Sequence, residues 1–394
     1  MYFRITIVLC LCLIVSELMG QPNDIITKVQ SFEKNNIELK SILKDIKSKE
    51  YSLSSSNNYS DPELESYYLP YGNNSTGDYL ELQLSQSFEF PLVYSSRNKL
   101  LDVKYDELSM LYKVRRQETL LYIYNKILDI LHINKMITIE SERQEKAKII
   151  LEQSKTLFEK EQIGILDYNK SKVKWLQHKF KIQKLEREKQ NLISLITSLN
   201  GNQELEFGLE NLSTNLEVEP LEVLWENKIQ MDPTFNILSL QENIAEAELN
   251  LDKNSWYPDL KLGANYQGFS GNANYGFYGG ISIPLWNNSN KVESSENKLE
   301  YNRMSTIVQT QKENVSYRNN YYHFKSLLEE YNEYSNTLGA INSTELLFKA
   351  YSSGEIPFTE YNMELEFYHN AQNKMLDMEN ELNHLKAELL KHQI

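Results

Sequence analysis

The sequence states its structural unit twice, at a constant interval of 193 residues. Ser87-Phe88-Glu89-Phe90-Pro91 returns as Gly280-Ile281-Ser282-Ile283-Pro284, and Phe158-Glu159-Lys160-Glu161-Gln162-Ile163 returns as Tyr351-Ser352-Ser353-Gly354-Glu355-Ile356. The proline and the later aromatic therefore lie 67 residues apart in both copies, with no net insertion between them. An unstructured spacer does not hold its length so well; a long helix does. At about 1.5 Å per residue such a helix is a rod on the order of 100 Å, far longer than an ordinary globular domain uses.

The segments after Pro91 and Pro284 contain no proline until Pro220 and Pro357, and few glycines. A compact core cannot cover a helix of this length, so its stabilisation has to come from lateral packing against neighbouring helices. The returning segments carry the seam: Met375, Met378, Leu382, Leu385 and Leu389 step by 3, 4, 3 and 4, and Ile182, Leu185, Leu192 and Ile196 hold the matching places one repeat earlier. The first return leg runs from Ile165 to Leu199 and ends on Asn200-Gly201.

Ahead of each long helix the pattern predicts a shorter helix and a hairpin. The helices run from Asp24 to about Glu50 and from Thr234 to about Asn254, the second opened by Asp232 as N-cap and Pro233 at the first position. Asp61-Pro62 in one copy and Tyr257-Pro258 in the other then turn the chain into extended segments near Glu63 to Leu69 and Leu260 to Phe269. In the second strand of the first hairpin, Leu80, Leu82, Leu84, Phe88 and Phe90 alternate with Glu81, Gln83, Ser85, Ser87 and Glu89; Tyr275, Phe277, Ile281 and Ile283 repeat the parity. The connecting loops are predicted at 71–77 and 268–272. One apolar and one polar face suit either half of a buried sheet or a sheet with lipid on one side and water on the other.

Residues 1–20 carry Arg4 and then the apolar run Ile5 to Val15, the pattern of a secretory signal cleaved near Gly20. Both cysteines, Cys10 and Cys12, fall inside it. The expected organisation is a signal peptide at 1–20, a first repeat at 21–200, an equatorial linker at 201–232 and a second repeat at 233–394. The net charge of −14 argues against nucleic acid as a partner. Mean hydropathy is −0.54, and no stretch after residue 20 is apolar for long enough to be a membrane-spanning helix, so any insertion into a membrane has to use strands.

These features, taken in order along nearly the whole mature chain, resemble the TolC-like outer-membrane efflux channel family. The points of resemblance are the doubled plan of helix, hairpin, long helix, tight turn and return helix, and the strand-to-helix steps Pro91-Leu92 and Pro284-Leu285. A further signature is an aromatic, a glycine three residues on and an acidic residue six beyond: Tyr351, Gly354 and Glu360 satisfy it, whereas the first copy has Phe158 and Asp167 but Glu161 at the glycine position. That departure leaves the backbone conformation of the first turn open. The resemblance implies a mainly α fold with a small β part, in which long antiparallel coiled-coil helices form an α-helical barrel. Four strands per protomer join a 12-stranded β-barrel in a homotrimer spanning the outer membrane and contacting its lipid. It implies a passive exit duct reaching into the periplasm, partnered by a periplasmic adaptor and an inner-membrane pump. The steps also look similar to the cation-efflux subgroup; drug efflux and type I protein secretion suit the same plan.

In that family the turns form the periplasmic tip. Asp167 and Glu360 stand at equivalent offsets after the two turns, and Glu355 and Glu364 lie close by. Gathered around an axis they would favour cations and repel anions; as acids in a first helical turn they also suit the helix dipole. Tyr168 and Tyr361 sit beside Asn169 and Asn362 as packing residues at the constriction. Tyr266, Tyr275, Phe277 and Tyr278 are candidates for an interfacial aromatic girdle. The six histidines (His132, His178, His323, His369, His384 and His392) lie scattered on helices and read as polar groups of the surface. No catalytic motif, metal-binding pattern or cofactor loop stands out, so no enzyme activity and no cofactor is expected. A secreted structural coiled coil or an envelope enzyme are the competing classes; the first predicts solubility without detergent, the second a pocket with convergent titratable groups.

Overall fold

The computed structural model describes residues 24–70, 77–203, 215–269, 272–286, 288–340 and 343–394. The signal segment 1–20 with Cys10 and Cys12, most of the predicted loop at 71–77, the tip of the predicted loop at 268–272 and part of the expected linker lie outside the described residues. In chain order the elements are α1 (Asp24–Ser31), a 3-10 turn, α2 (Ile37–Ser55), β1 (Glu63–Leu69), β2 (Tyr79–Phe88), α3 (Pro91–Glu159) and α4 (Ile165–Leu199). They continue as α5 (Leu221–Met231), α6 (Pro233–Asn254), β3 (Asp259–Phe269), β4 (Asn272–Ser282), α7 (Lys291–Ala340), α8 (Ser343–Ser352) and α9 (Phe358–Leu389). The fold is mainly helical with one four-stranded antiparallel sheet in the order β1-β2-β3-β4.

The residues fall into two compact units, each drawing on both sequence repeats: 1–40, 115–231 and 315–394 in one, 41–114 and 232–314 in the other. The first unit is helical. Its core follows the heptad seams, with Leu120, Ile123, Ile127 and Ile130 of α3 packed on Ile25, Val29 and Ile196, and Met378, Leu382 and Leu389 of α9 packed on Tyr317, Phe324 and Leu224. The second unit holds the sheet. There Phe90 and Tyr257 stack at 4.6 Å between ring centres, and Arg97 grips Glu89 with two bonds of 2.6 and 2.7 Å, fixing the step from β2 into α3.

The first long helix is a single element of 69 residues that starts on Pro91, where the missing N–H has no helical partner to lose. Its counterpart departs from expectation. After Pro284 the chain makes a turn, with the Ser289 N–H bonded to the Trp286 carbonyl and Asn290 at φ 62°, and α7 begins only at Lys291. The Asn288 side chain holds that turn by donating to the Ser255 carbonyl and accepting from Lys291 Nζ. Helix α7 ends at Ala340 and α8 starts at Ser343, so the second 67-residue interval is spanned by a turn and two helices.

The opening helix also differs from the continuous Asp24-to-Glu50 pattern. It breaks at Asn35-Asn36, because both side chains find better partners across the unit than along the helix. Asn36 accepts from the Leu39 N–H at 2.9 Å, capping α2, and donates to the Leu199 carbonyl at 2.9 Å; Asn35 donates to Asn200 Oδ1 at 3.3 Å. Gly201, at φ 66°, lets the Asn35 carbonyl approach to where a Cβ would lie 2.6 Å away. The second short helix forms as its sequence predicts, with Asp232 accepting from the Thr234 N–H at 3.0 Å ahead of Pro233.

Candidate functional site

The strand register decides which way the two faces of the sheet look. Pairing aligns Leu64 with Leu84, Leu82 with Tyr266, Ala264 with Phe277 and Leu260 with Ile281, so one continuous face carries the apolar side chains of all four strands. That face is the exposed one: Leu84 is 54% exposed, Tyr275 81% and Phe277 95%. The opposite face carries Glu63, Glu81, Gln83, Ser85, Lys261, Asn265 and Gln267 by register, and several of these polar groups bond to one another. Glu81 accepts from Tyr79 at 2.6 Å, Gln83 at 2.7 Å and Gln267 at 3.1 Å, and Lys261 bonds Glu63 at 2.8 Å. A globular sheet buries its apolar side; this one leaves it exposed, the alternation that strands of a transmembrane barrel also have.

Two expectations about the hairpins change. The strands β3 and β4 reach Phe269 and Asn272, which pair with each other, so Gly268 belongs to a strand and not to a loop. Tyr278 is on the polar face, paired with Gly263, whose missing Cβ makes room for the ring: a Cβ there would lie 2.6 Å from it. It therefore does not share a face with Tyr266, Tyr275 and Phe277.

The two helix turns of the helical unit have the same backbone. In the second, Gly354 takes φ 77°, its N–H bonds the Tyr351 carbonyl at 3.0 Å, and the Glu355 N–H reaches the Ala350 carbonyl at 2.9 Å. In the first, Glu161 takes φ 59°, its N–H bonds the Phe158 carbonyl at 2.9 Å, and the Gln162 N–H reaches the Leu157 carbonyl at 2.9 Å. Both are left-handed C-caps with the paired bonds of a Schellman motif. Glu161 adopts the conformation that glycine adopts freely, at a cost of about 1 kcal/mol. Glu161→Gly is therefore expected to raise stability by up to about 1 kcal/mol and Gly354→Ala to lower it by a similar amount, read as opposite shifts of the denaturant midpoint.

The turns lie side by side, and a groove lined by Leu157, Ile163, Asp167, Tyr351, Gly354 and Phe358 runs between them. Asp167 sits in the first turn of α4 with Lys170 Nζ at 3.4 Å. Glu355, Glu360 and Glu364 are exposed. Tyr361 is fully buried, stacked on Tyr351 at 5.0 Å beside Ile150 and Leu365, and burial pushes its hydroxyl pKa up to about 12. Tyr168 is half-buried and stacks on Phe158 at 5.6 Å. The two tyrosines thus clasp the aromatic that precedes each turn.

The histidines are not uniformly superficial. On α3 the seam Ile133, Met136, Glu140, Arg143, Ala147 and Ile150 is buried throughout, and two of its members are charged. Glu140, 1% exposed, bonds Arg143 at 2.5 Å, His178 at 2.8 Å and Lys181 at 2.8 Å; Arg143 also reaches Asn373 at 2.9 Å and Gln372 at 2.7 Å on α9. Burial, the largest single influence, pushes the Glu140 carboxyl up, but bonds from His178 and Lys181 and the Arg143 charge together hold it well below the usual carboxylate range. Sequence reasoning missed this layer, although its signal was present: Glu140 and Arg143 fall on the step-of-3-and-4 stripe where apolar residues are required.

Burial, then the Arg143 and His178 charges, push His369 in the same layer down to about 3. Its folded pKa lies below its unfolded value, so the unfolded chain takes up the proton first. The stability it contributes is complete above about pH 6.5 and is lost as pH falls toward 3. Between pH 7.5 and 5 the loss is expected to reach about 2 kcal/mol per chain, and His369→Gln should remove that part of the slope in urea midpoints followed by circular dichroism.

Among the described residues no group of histidine, cysteine and acidic side chains has a metal-binding arrangement, and no helix is long and apolar enough to cross a membrane. By sequence, neither a protein-family profile nor a curated protein matches the chain. By structure the match is extensive. CusC, solved in a study of folding and transmembrane channel formation, superposes with a TM-score of 0.75 at 13% identity, over 94% of this chain and 92% of that one. The Campylobacter jejuni CmeC outer membrane channel gives 0.72 at 13% identity, over 94% and 85%. The outer membrane protein VceC of Vibrio cholerae gives 0.70 at 13% identity, over 94% and 95%. The chain has the fold of the TolC-like outer-membrane channels.

Proposed function

We propose that this chain is one protomer of an outer-membrane exit duct, a passive channel through which small molecules or metal ions leave the periplasm. The observation that carries the reading is the four-stranded sheet whose apolar face is exposed and whose polar face is internally hydrogen-bonded. Among the described residues β1 and β4 pair on one side only. In hydrocarbon an open strand edge leaves N–H and C=O groups unpaired at several kcal/mol each, so the sheet needs further copies to close. A homotrimer supplies twelve strands and no edge. A periplasmic adaptor and an inner-membrane pump supply the cargo and the energy, and the paired turns with Asp167, Glu355, Glu360 and Glu364 form the periplasmic tip, at which rearrangement of the coiled coils opens the duct.

The test is conductance of the purified protein in a planar lipid bilayer. Stepwise ion-conducting events are expected, with a cation preference that falls in the Asp167→Asn/Glu360→Gln double variant. A protein that stays soluble without detergent and conducts nothing would refute the channel; a conducting double variant of unchanged selectivity would discard only the role given to the two acids.

A further inference from the structure

We propose that in the helical unit one copy of this chain packs against the next through two different, charge-matched edges: the basic outer face of α4 and the acidic outer face of the second half of α7. The inference rests on the reading of the chain as one copy of a closed ring.

Packing inside the unit sets the order of its long helices. Helix α4 lies on α3 through His178 and Glu140 at 2.8 Å, α3 lies on α9 through Arg143 and Asn373 at 2.9 Å, and α9 lies on α7 through the Leu389 carbonyl and the Tyr317 hydroxyl at 2.8 Å. Helices α4 and α7 are the two ends of that series, and each carries a further apolar stripe that the packing leaves outside. On α4, Leu166, Val173 and Phe180 recur every seven residues and are 71%, 53% and 57% exposed; on α7, Tyr301, Val308, Val315 and Tyr322 keep the same interval at 68%, 46%, 59% and 55%. A seven-residue apolar repeat is what a helix carries where it meets another helix.

Charge says which edge meets which. Helix α4 has eight Lys or Arg against three Asp or Glu in a chain of net charge −14; its exposed charges are Lys170, Lys172, Lys184 and Arg187, and its acids are half-buried. On α7 the exposed charges beyond His323 are Glu329, Glu330 and Glu333. Two α4 edges repel each other, and so do two α7 edges, whereas α4 suits α7. An interface between unlike edges is heterologous, and a rotation that closes it gives a ring. Height agrees with this pairing. Rotation about an axis along the rods moves no residue along that axis, and the bonds from Lys181 to Glu140, Lys135 to Glu379 and His323 to Glu381 bring Lys181 and Glu330 to one level within a helical turn of about 5.4 Å. Lys184 then faces Glu329 and Glu330 of the next copy, and Phe180 meets Tyr334, itself 40% exposed, as the apolar centre of the contact.

The test is subunit exchange between differently tagged copies of the full chain in detergent, read by co-purification of the two tags. Charge is reversed on one edge at a time, by Lys184→Glu/Arg187→Glu on α4 and by Glu329→Lys/Glu330→Lys on α7. Each reversal is expected to speed exchange about threefold to tenfold at low salt, the scale of two exposed ion pairs turned repulsive, and the difference should shrink as salt rises. The chain carrying all four changes restores the opposition of charge and is expected to exchange at nearly the wild-type rate, a rescue that a misfolded variant does not show. Circular dichroism of the same samples verifies folding. A wild-type oligomer whose exchange neither reversal speeds, or a fourfold variant no slower than its two parents, would overturn the charge-matched interface and leave the exit-duct reading standing. A wild-type chain that forms no oligomer overturns both.

Discussion

Glu140→Ala is expected to lower the stability of the helical unit by about 3–5 kcal/mol. The alanine removes the one carboxylate in a layer that also contains Arg143, His178 and Lys181, and it leaves the Arg143 charge buried opposite a void. The cost arises from the stranded cation more than from the lost attraction, because both ions were taken out of water to form the pair. The triple change Glu140→Leu/Arg143→Met/His178→Leu is therefore expected to recover most of the loss. Its penalty should appear in specificity. Among the described residues the layer is the one charged interruption of the buried α3 seam from Leu120 to Ile150, and without it the register against α9 rests on the half-buried bonds of His384 to Asn125 and Asp129 and on the Lys135–Glu379 pair. Denaturant midpoints followed by far-ultraviolet circular dichroism give the stability, and the rate of amide exchange reports whether packing stays unique. A Glu140→Ala protein as stable as the wild type would show that the layer is solvated and that the assigned burial has no energetic weight.

The second large effect concerns the sheet. Leu82 and Gln83 are neighbours near the middle of β2, on opposite faces by register: Leu82 pairs with Ser66 and Tyr266, Gln83 with Glu65 and Asn265. In the proposed barrel Leu82→Arg places a cation on the lipid-facing side, where the cost at mid-membrane depth is about 2–4 kcal/mol per copy. Assembly of membrane-inserted oligomer is expected to fail or to fall severalfold. Gln83→Arg meets Glu81, to which Gln83 already donates at 2.7 Å, and is expected to insert normally while lowering cation preference. The readout is the amount of oligomer recovered in the outer-membrane fraction together with bilayer selectivity. Normal insertion of Leu82→Arg alongside failure of Gln83→Arg would invert the assignment of faces.

How much of this was legible in the residues differs by element. Strand parity was visible because alternation has a period of two and runs here without a break, Leu80, Leu82 and Leu84 against Glu81, Gln83 and Ser85. The two turns at Glu161 and Gly354 were visible as a repeated aromatic and a repeated acid. The glutamate at the glycine position of the first turn left the backbone conformation of the turn unchanged, since the two backbone bonds that close it hold Glu161 at φ 59°. Equal spacing misled in one respect. It predicted the same helix after Pro284 as after Pro91, but the Asn288 side chain, bonded to Ser255, stabilises a turn that no helical periodicity reveals. The break at Asn35-Asn36 was hidden for the same reason, because the partners that cause it are 163 and 165 residues away.

The linear chain by itself determined the doubled plan, the helical and extended segments and their order, because periodicity, proline and capping residues act over a few neighbours. Only the tertiary structure decided which face of the sheet looks outward and which polar residues are buried together. Alternation records that two faces differ without recording which one meets the solvent. The Glu140 layer likewise shows on α3 as two charged residues on an apolar stripe, but the partners that His178, Asn373 and Gln372 supply from other helices leave no trace in the order of residues along α3.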